Sequence, residues 1–216
     1  MSLILGSLDG TTANCDLEDY PANSNWPAAV PYNNGEVLVC GGRYLEEADR
    51  CWSFNGSAWS SLPNSDQKHC YTNSINALTN NDGWWVSSRL QNGDGTCSYT
   101  SSTSSVFTGA GWKPGPALPD KYPEYSCVVN LNTTHTFLIG GSSSVPSNSP
   151  VRSDVWIYDW TSQAWTRTGS LIQGRWYHGC VRLGQGILVA GGFDLNGRKI
   201  RTVELYDPDE GTWSSQ

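Results

Sequence analysis

The stretch Ile187-Leu188-Val189-Ala190-Gly191-Gly192, followed by Thr202-Val203-Glu204-Leu205-Tyr206-Asp207 and closed by Trp213, decides the fold of this 216-residue chain. Residues 187–190 are short and wholly apolar, which predicts a strand buried on both faces. Gly191-Gly192 then turns the backbone where a Cβ would clash. Residues 202–206 alternate as a half-buried strand should. Asp207 to Gly211 reads as a turn, and Thr212-Trp213-Ser214 opens a fourth, outer strand. Upstream, residues 178–183 read as a first strand, joined to the second through the tight turn Gly184-Gln185-Gly186.

The same order recurs three times toward the N-terminus. Phe54 precedes Trp59 by five residues and Phe107 precedes Trp112 by five, while Tyr158 precedes Trp165 by seven and Tyr206 precedes Trp213 by seven. Gly41-Gly42 and Gly140-Gly141 also follow aliphatic runs, whereas the remaining copy has Trp84-Trp85-Val86-Ser87-Ser88 in that place. A recurrence near fifty residues identifies an array of one supersecondary unit. Four antiparallel strands cannot bury both faces alone. Stacked about an axis, such sheets form a propeller. No window carries a helical stripe, so the expected class is all-β.

Gly-Gly after an aliphatic strand, then Tyr-Asp, then Trp seven residues on, resembles the kelch repeat. The match is best from Arg175 to Trp213 and nearly as good in the third copy. It is partial in the first, where Phe54-Asn55 replaces Tyr-Asp, and in the second it is limited to Phe107 and Trp112. The resemblance covers residues 28–216 and implies about four kelch-like blades, at 28–62, 73–118, 122–169 and 175–216, from a six- or seven-bladed ring. Residues 1–27 are read as an N-terminal segment in which 3–9 end a preceding blade. The resemblance further implies a non-catalytic binding platform for a protein or carbohydrate ligand, with no cofactor and no metal.

Composition narrows the partners. A formal net charge of −7 argues against nucleic acid, which needs a clustered basic surface. No apolar stretch approaches the length of a membrane helix, so membrane insertion is not expected. Seven cysteines without a C-x-x-C pair, together with the sequons at Asn55 and Asn132, favour a secreted, extracellular glycoprotein. The first ten residues are not a signal peptide, lacking a basic n-region. The alternative is a cytoplasmic kelch adaptor. Cys40 and Cys51 end and begin neighbouring strands of one blade and are the best disulfide candidates. Cys127 and Cys180 hold equivalent positions on first strands of neighbouring blades, and either pair or serve as small core residues. Cys15, Cys70 and Cys97 carry no assignment.

Chemistry is sparse. Tyr177-His178 is similar to the copper-binding Tyr-His of galactose oxidase, a kelch-type propeller enzyme. That site also needs a second His, a second Tyr and a Cys near a Tyr, and neither His69 nor His135 completes the set. Residues 209–213 resemble a sialidase Asp-box but lack its leading Ser and read as an acidic turn. No phosphate-binding glycine loop precedes a helix. Recognition is therefore expected in the long loops between second and third strands and in the connections between blades, all on one face of the disc. Ten of the thirteen basic residues fall there. The expected ligand contacts are Arg43, Arg50, Arg89, Arg152, Arg175, Arg198, Lys199 and Arg201, with Lys68 and Lys121 nearby, and the expected ligand is acidic or polar. Both sequons fall on the opposite face.

Overall fold

The computed structural model describes residues 18–22, 27–32, 35–41, 49–70, 74–77, 83–87, 89–90, 103–108, 111–119, 124–142 and 150–216, with the backbone alone over 70–90. Every regular element among them is a strand. The first sheet orders β1 (Ala28–Tyr32), β2 (Glu36–Cys40), β3 (Cys51–Phe54) and β4 (Trp59–Ser61) side by side. A short strand β5 (His69–Cys70) precedes the second sheet, which uses β6 (Ser74–Ala77) and β7 (Gly83–Ser87). After β8 (Arg89–Leu90), that sheet is completed by β9 (Thr103–Phe107) and β10 (Trp112–Pro114). The third sheet is β11 (Cys127–Asn130), β12 (His135–Ile139), β13 (Val155–Asp159) and β14 (Ala164–Arg167). The fourth is β15 (Gly179–Leu183), β16 (Gly186–Ala190), β17 (Val203–Asp207) and β18 (Thr212–Ser215).

All neighbouring strands are antiparallel, and each first strand lies beside the first strand of the next sheet: β1 by β6, β6 by β11, β11 by β15. The four sheets are blades of a β-propeller, with first strands innermost. The degenerate copy keeps the pattern, since Trp84, Trp85 and Val86 stand in β7, the second strand.

Blade packing follows from period-2 alternation. In the third sheet one row, Val128, Leu138 and Trp156, packs with Val106 and Leu118 of the second blade. The next row, Val129 and Phe137 with Ile139 and Val155 beside it, packs with Ile187, Val189, Tyr206 and Trp213 of the fourth. Phe137, Ile139, Ile187 and Val189 are completely buried. Each side chain of that kind stabilises the fold by about 1.5–3 kcal/mol.

The spacing that announced the repeat has a direct cause. Phe54 faces Trp59, Phe107 faces Trp112, Tyr158 faces Trp165 and Tyr206 faces Trp213 as cross-strand partners around the third-to-fourth turn, with ring centroids 4.7–5.2 Å apart. Each of these tryptophans also donates its indole N–H backward along the chain. Trp112 reaches the Pro63 carbonyl (2.9 Å), Trp165 reaches Ala117 (2.8 Å) and Trp213 reaches Gly169 (3.0 Å). Those carbonyls lie just after the outer strand of the preceding blade. Trp59 makes the same bond to Glu18 (3.1 Å), so residues ahead of the first blade take the place of a preceding blade's exit.

The second glycine of the last two Gly-Gly pairs is required by close approach. Gly141 (φ 98°) and Gly192 (φ 88°) would place a Cβ 2.7 Å from the Glu124 carbonyl and 2.6 Å from that of Trp176. Three expectations need adjustment. His178 precedes β15, because Tyr177 has φ 54° and breaks the strand ladder. Arg89 and Leu90 leave the long loop and pair with Cys70 and His69. Leu188 and Ala190 of β16 are only half-buried, since none of the described residues forms a sheet over the outer side of the fourth.

Candidate recognition face

The antiparallel order places the second-to-third loops and the inter-blade connections together on one face. There the chain leading into the first strand of the second, third and fourth sheets pairs with residues just beyond the second strand. His69-Cys70 pair with Leu90 and Arg89, Glu124 with Ser142, and Trp176 with Phe193. In the last two blades the row extends outward one step more, to Val151 and to Lys199. This small platform stands on the rigid blades.

The platform carries an aromatic cluster that the sequence reading did not assemble. Tyr125 stacks on Tyr177 with centroids 4.0 Å apart, both contact Trp176, and Trp176 meets Phe193 at 5.5 Å. Tyr125 (φ 57°) and Tyr177 (φ 54°) both sit in the left-handed region. That conformation costs on the order of 1 kcal/mol or more for a bulky residue and persists only where the surroundings enforce it. The Tyr177 amide donates to the Tyr125 carbonyl at 3.1 Å, joining the third and fourth blades at this point. Tyr177 remains 49% exposed. The available signal was positional: Tyr125 and Tyr177 precede their first strands by the same distance, and Phe193 follows directly on Gly191-Gly192.

Beside the aromatics, the loop from Asp194 is tightly made. The Asp194 carboxylate accepts from the Asn196 and Arg198 amides, both at 2.8 Å, and its carbonyl accepts from the Trp176 indole at 3.1 Å. With the carboxylate committed to backbone, Arg198 extends into solvent without a carboxylate partner among the described residues. Lys199 and Arg201 are likewise exposed, while Ile200 between them is buried. Arg198, Lys199 and Arg201 thus form one basic edge next to an aromatic surface.

The other expected contacts are placed differently. Arg175 is a correction. It is fully buried, and its guanidinium donates to Glu204 (2.6 Å) and to the carbonyls of Gly191 and Thr202, both at 3.0 Å. Glu204 in turn accepts from the Ile172 and Gln173 amides, so the pair fastens the inter-blade connection and offers nothing to a ligand. Arg152 lies half-buried beside Asp154, which also pairs with Arg167. Arg50 is exposed, and its carbonyl accepts from the Gly41 amide at 2.9 Å. The backbone of Arg89 runs in β8. Arg43, Lys121, Cys15 and Cys97 lie outside the described residues, as do 3–9 and much of the first three long loops.

Cys40 is bonded to Cys51 within the first blade, and Cys127 to Cys180 across the third and fourth. The second bond settles the alternatives left open for that pair. Asn55 and Asn132 are exposed on the opposite face. Their side-chain oxygens accept from the amides of Ser57 and Ala58 and of Thr134 and His135. Asp159 and Asp207 make the same type of cap at the position of Asn55, so that residue has a turn role of its own.

Two buried histidines add a pH dependence. Burial lowers His69 from 6.5 to about 4, with Asp66 opposing, and it lowers His178 to about 4 with further help from the Arg175 charge. His69 Nε2 lies 2.7 Å from Ser105 Oγ. In the unfolded chain both imidazoles titrate near their ordinary value, so the unfolded state binds protons first as pH falls. Stability from these groups is therefore complete above about pH 6.5 and declines toward pH 4. Thermal melts across that window are expected to shift downward, and His69→Gln or His178→Gln to flatten the slope. An unchanged slope in both variants would exclude this origin.

Residues 175–216 match the Kelch motif family model. The chain is similar to the F-box/kelch-repeat protein SKIP30 of Arabidopsis thaliana, with 32% identity over 114 residues, 48% of this chain and 32% of the relative. It is similar to human Kelch-like protein 6, with 35% identity over 94 residues, 44% of this chain and 14% of the relative. The matches thus span a third or less of these relatives' lengths. In fold it resembles a fungal alcohol oxidase of the AA5 family solved in complex with copper. The TM-score is 0.56 and the identity 14%, covering 88% of this chain and 52% of the oxidase. These blades define a repeat propeller that presents its loops on one face. Its last blade carries a Kelch motif, and about half of the chain is similar to kelch-repeat proteins.

The oxidase likeness is one of fold alone. Among the described residues no three His, Cys, Asp or Glu side chains are grouped to hold a metal ion, and His178 is enclosed beside the Arg175 charge.

Proposed function

We propose that this chain is a non-catalytic recognition module whose long-loop face binds a partner protein through an acidic segment. The observation that carries this reading is the exposed basic edge of Arg198, Lys199 and Arg201 beside the stacked surface of Tyr125, Trp176 and Tyr177. Rigid aromatic anchors with a neighbouring basic rim are the usual composition of protein-binding hot spots. Similarity to kelch-repeat proteins supports a protein-interaction role. An acidic glycan satisfies the same cations and is the competing ligand.

The test is binding of the full chain to an array of synthetic peptides graded in Asp and Glu content, alongside an array of acidic oligosaccharides. Peptide capture that weakens with salt is expected, and Arg198→Ala/Lys199→Ala/Arg201→Ala is expected to weaken it at least tenfold. Capture unchanged by the triple substitution, or confined to the oligosaccharides, would overturn the reading. We further place the protein outside the cell, a setting that the Cys40–Cys51 and Cys127–Cys180 disulfides support. Free thiols at Cys127 and Cys180 in protein taken from its source would contradict that placement.

A further inference from the structure

The face opposite the long loops carries two turns built alike. Asn55-Gly56-Ser57 lies between β3 and β4, and Asn132-Thr133-Thr134 between β11 and β12. Each asparagine is exposed, as is the residue after it, and no proline interrupts or follows either motif. In both, the hydroxyl two residues on donates to the asparagine side-chain oxygen, Ser57 Oγ at 3.0 Å and Thr134 Oγ1 at 3.1 Å. That hydroxyl is the group an N-glycosylation acceptor requires.

The two ends of each side-chain amide are used differently. Asn55 Oδ1 also accepts from the Ser57 and Ala58 amides at 3.0 and 2.9 Å. Asn132 Oδ1 accepts from the Thr134 and His135 amides at 2.9 and 2.8 Å. Among the described residues neither Nδ2 has a hydrogen-bond partner, so the nitrogen end is left to solvent. The turn needs only the oxygen. Asp159 and Asp207, at the position of Asn55 in the third and fourth blades, cap with a carboxylate, which has no nitrogen to offer. A sugar on Nδ2 leaves Oδ1 an amide oxygen and the cap intact. The long-loop asparagines Asn92, Asn148 and Asn196 are followed at the same distance by Asp94, Pro150 and Arg198, which supply no such hydroxyl.

We propose that Asn55 and Asn132 each carry an N-linked glycan, leaving the disc sugar-coated on one face and bare on the ligand face. The donor class is an oligosaccharide joined to a lipid through pyrophosphate. Nδ2 forms a bond to the anomeric carbon as the bond from that carbon to the phosphate oxygen breaks. The lipid pyrophosphate leaves with the electron pair, and one Nδ2 proton passes to a base of the transferring enzyme. Such attachment rests on the extracellular placement proposed above, since it is a modification of exported chains. It does not depend on which ligand the long-loop face binds.

Peptide mapping of protein purified from its source tests it. Enzymatic release of N-glycans in water labelled with heavy oxygen is expected to convert Asn55 and Asn132, and no other asparagine, to labelled Asp. Asn55→Asp and Asn132→Asp keep the capping oxygen and are each expected to remove one glycan from the intact mass. Ser57→Ala and Thr134→Ala are expected to remove the same glycans with the asparagine retained, and they serve where an Asp variant is not recovered. Either asparagine unmodified in protein whose Cys127 and Cys180 are bonded would overturn the glycan proposal and leave the extracellular placement standing. Unmodified asparagines together with free thiols would overturn both. A glycan that persists in Ser57→Ala or Thr134→Ala would overturn the assignment to that acceptor.

Discussion

Arg175→Ala lowers the melting temperature by roughly 10 °C. The substitution leaves the Glu204 carboxylate, 1% exposed, buried without its counter-charge. Breaking a buried pair from one side costs about 3–5 kcal/mol. A domain of this size loses about 2–4 °C per kcal/mol. The loss reaches past the pair, because Glu204 would then hold the Ile172 and Gln173 amides as an uncompensated anion. Replacing both partners with apolar residues, as in Arg175→Met/Glu204→Leu, removes the stranded charge and is expected to be milder than Arg175→Ala alone. Differential scanning calorimetry separates the cases. A single variant that melts with wild type, or a double variant worse than the single, would refute the assignment of Arg175 as an internal tie.

The second large effect is expected from Cys127→Ala/Cys180→Ala. The bond closes a loop across 53 residues and joins first strands of adjacent blades, with Cα atoms 6.0 Å apart. Chain-entropy reasoning assigns such a loop about 4 kcal/mol, against about 3 kcal/mol for the separation of 11 between Cys40 and Cys51. Denaturant unfolding of the two double-alanine variants should therefore rank them, with loss of the inter-blade bond the more damaging. The opposite ranking would mean that strain or residual structure in the unfolded chain outweighs loop closure.

The architecture was legible because its signals are local and repeated. Gly141 and Gly192 are forced by backbone contact, and Tyr206 opposite Trp213 is forced by turn length, so each leaves a fixed spacing in the chain. Trp84-Trp85 could be read as a second strand by position even though its composition departs from the others. The recognition face was legible only as a set of loops. Arg175 and Arg198 look alike in sequence. Their fates differ because Glu204, 29 residues after Arg175, meets it across the blade junction, while Asp194 spends its carboxylate on backbone amides. Nor does composition disclose that Tyr125 and Tyr177, a full repeat apart, stack at 4.0 Å. That contact depends on how adjacent blades are rotated, which no local pattern records.

The tryptophan bond from each outer strand back to the preceding exit means that a cooperative element of this protein straddles two sheets. Trp112, Trp165 and Trp213 each span one junction, and Trp59 spans the approach to the first sheet. Four indole protons are consequently four separate gauges. Slow solvent exchange at any one of them reports that a single neighbouring pair is closed, whatever the rest of the array is doing. Unravelling from either end would then be visible as the successive release of these protons, resolved junction by junction.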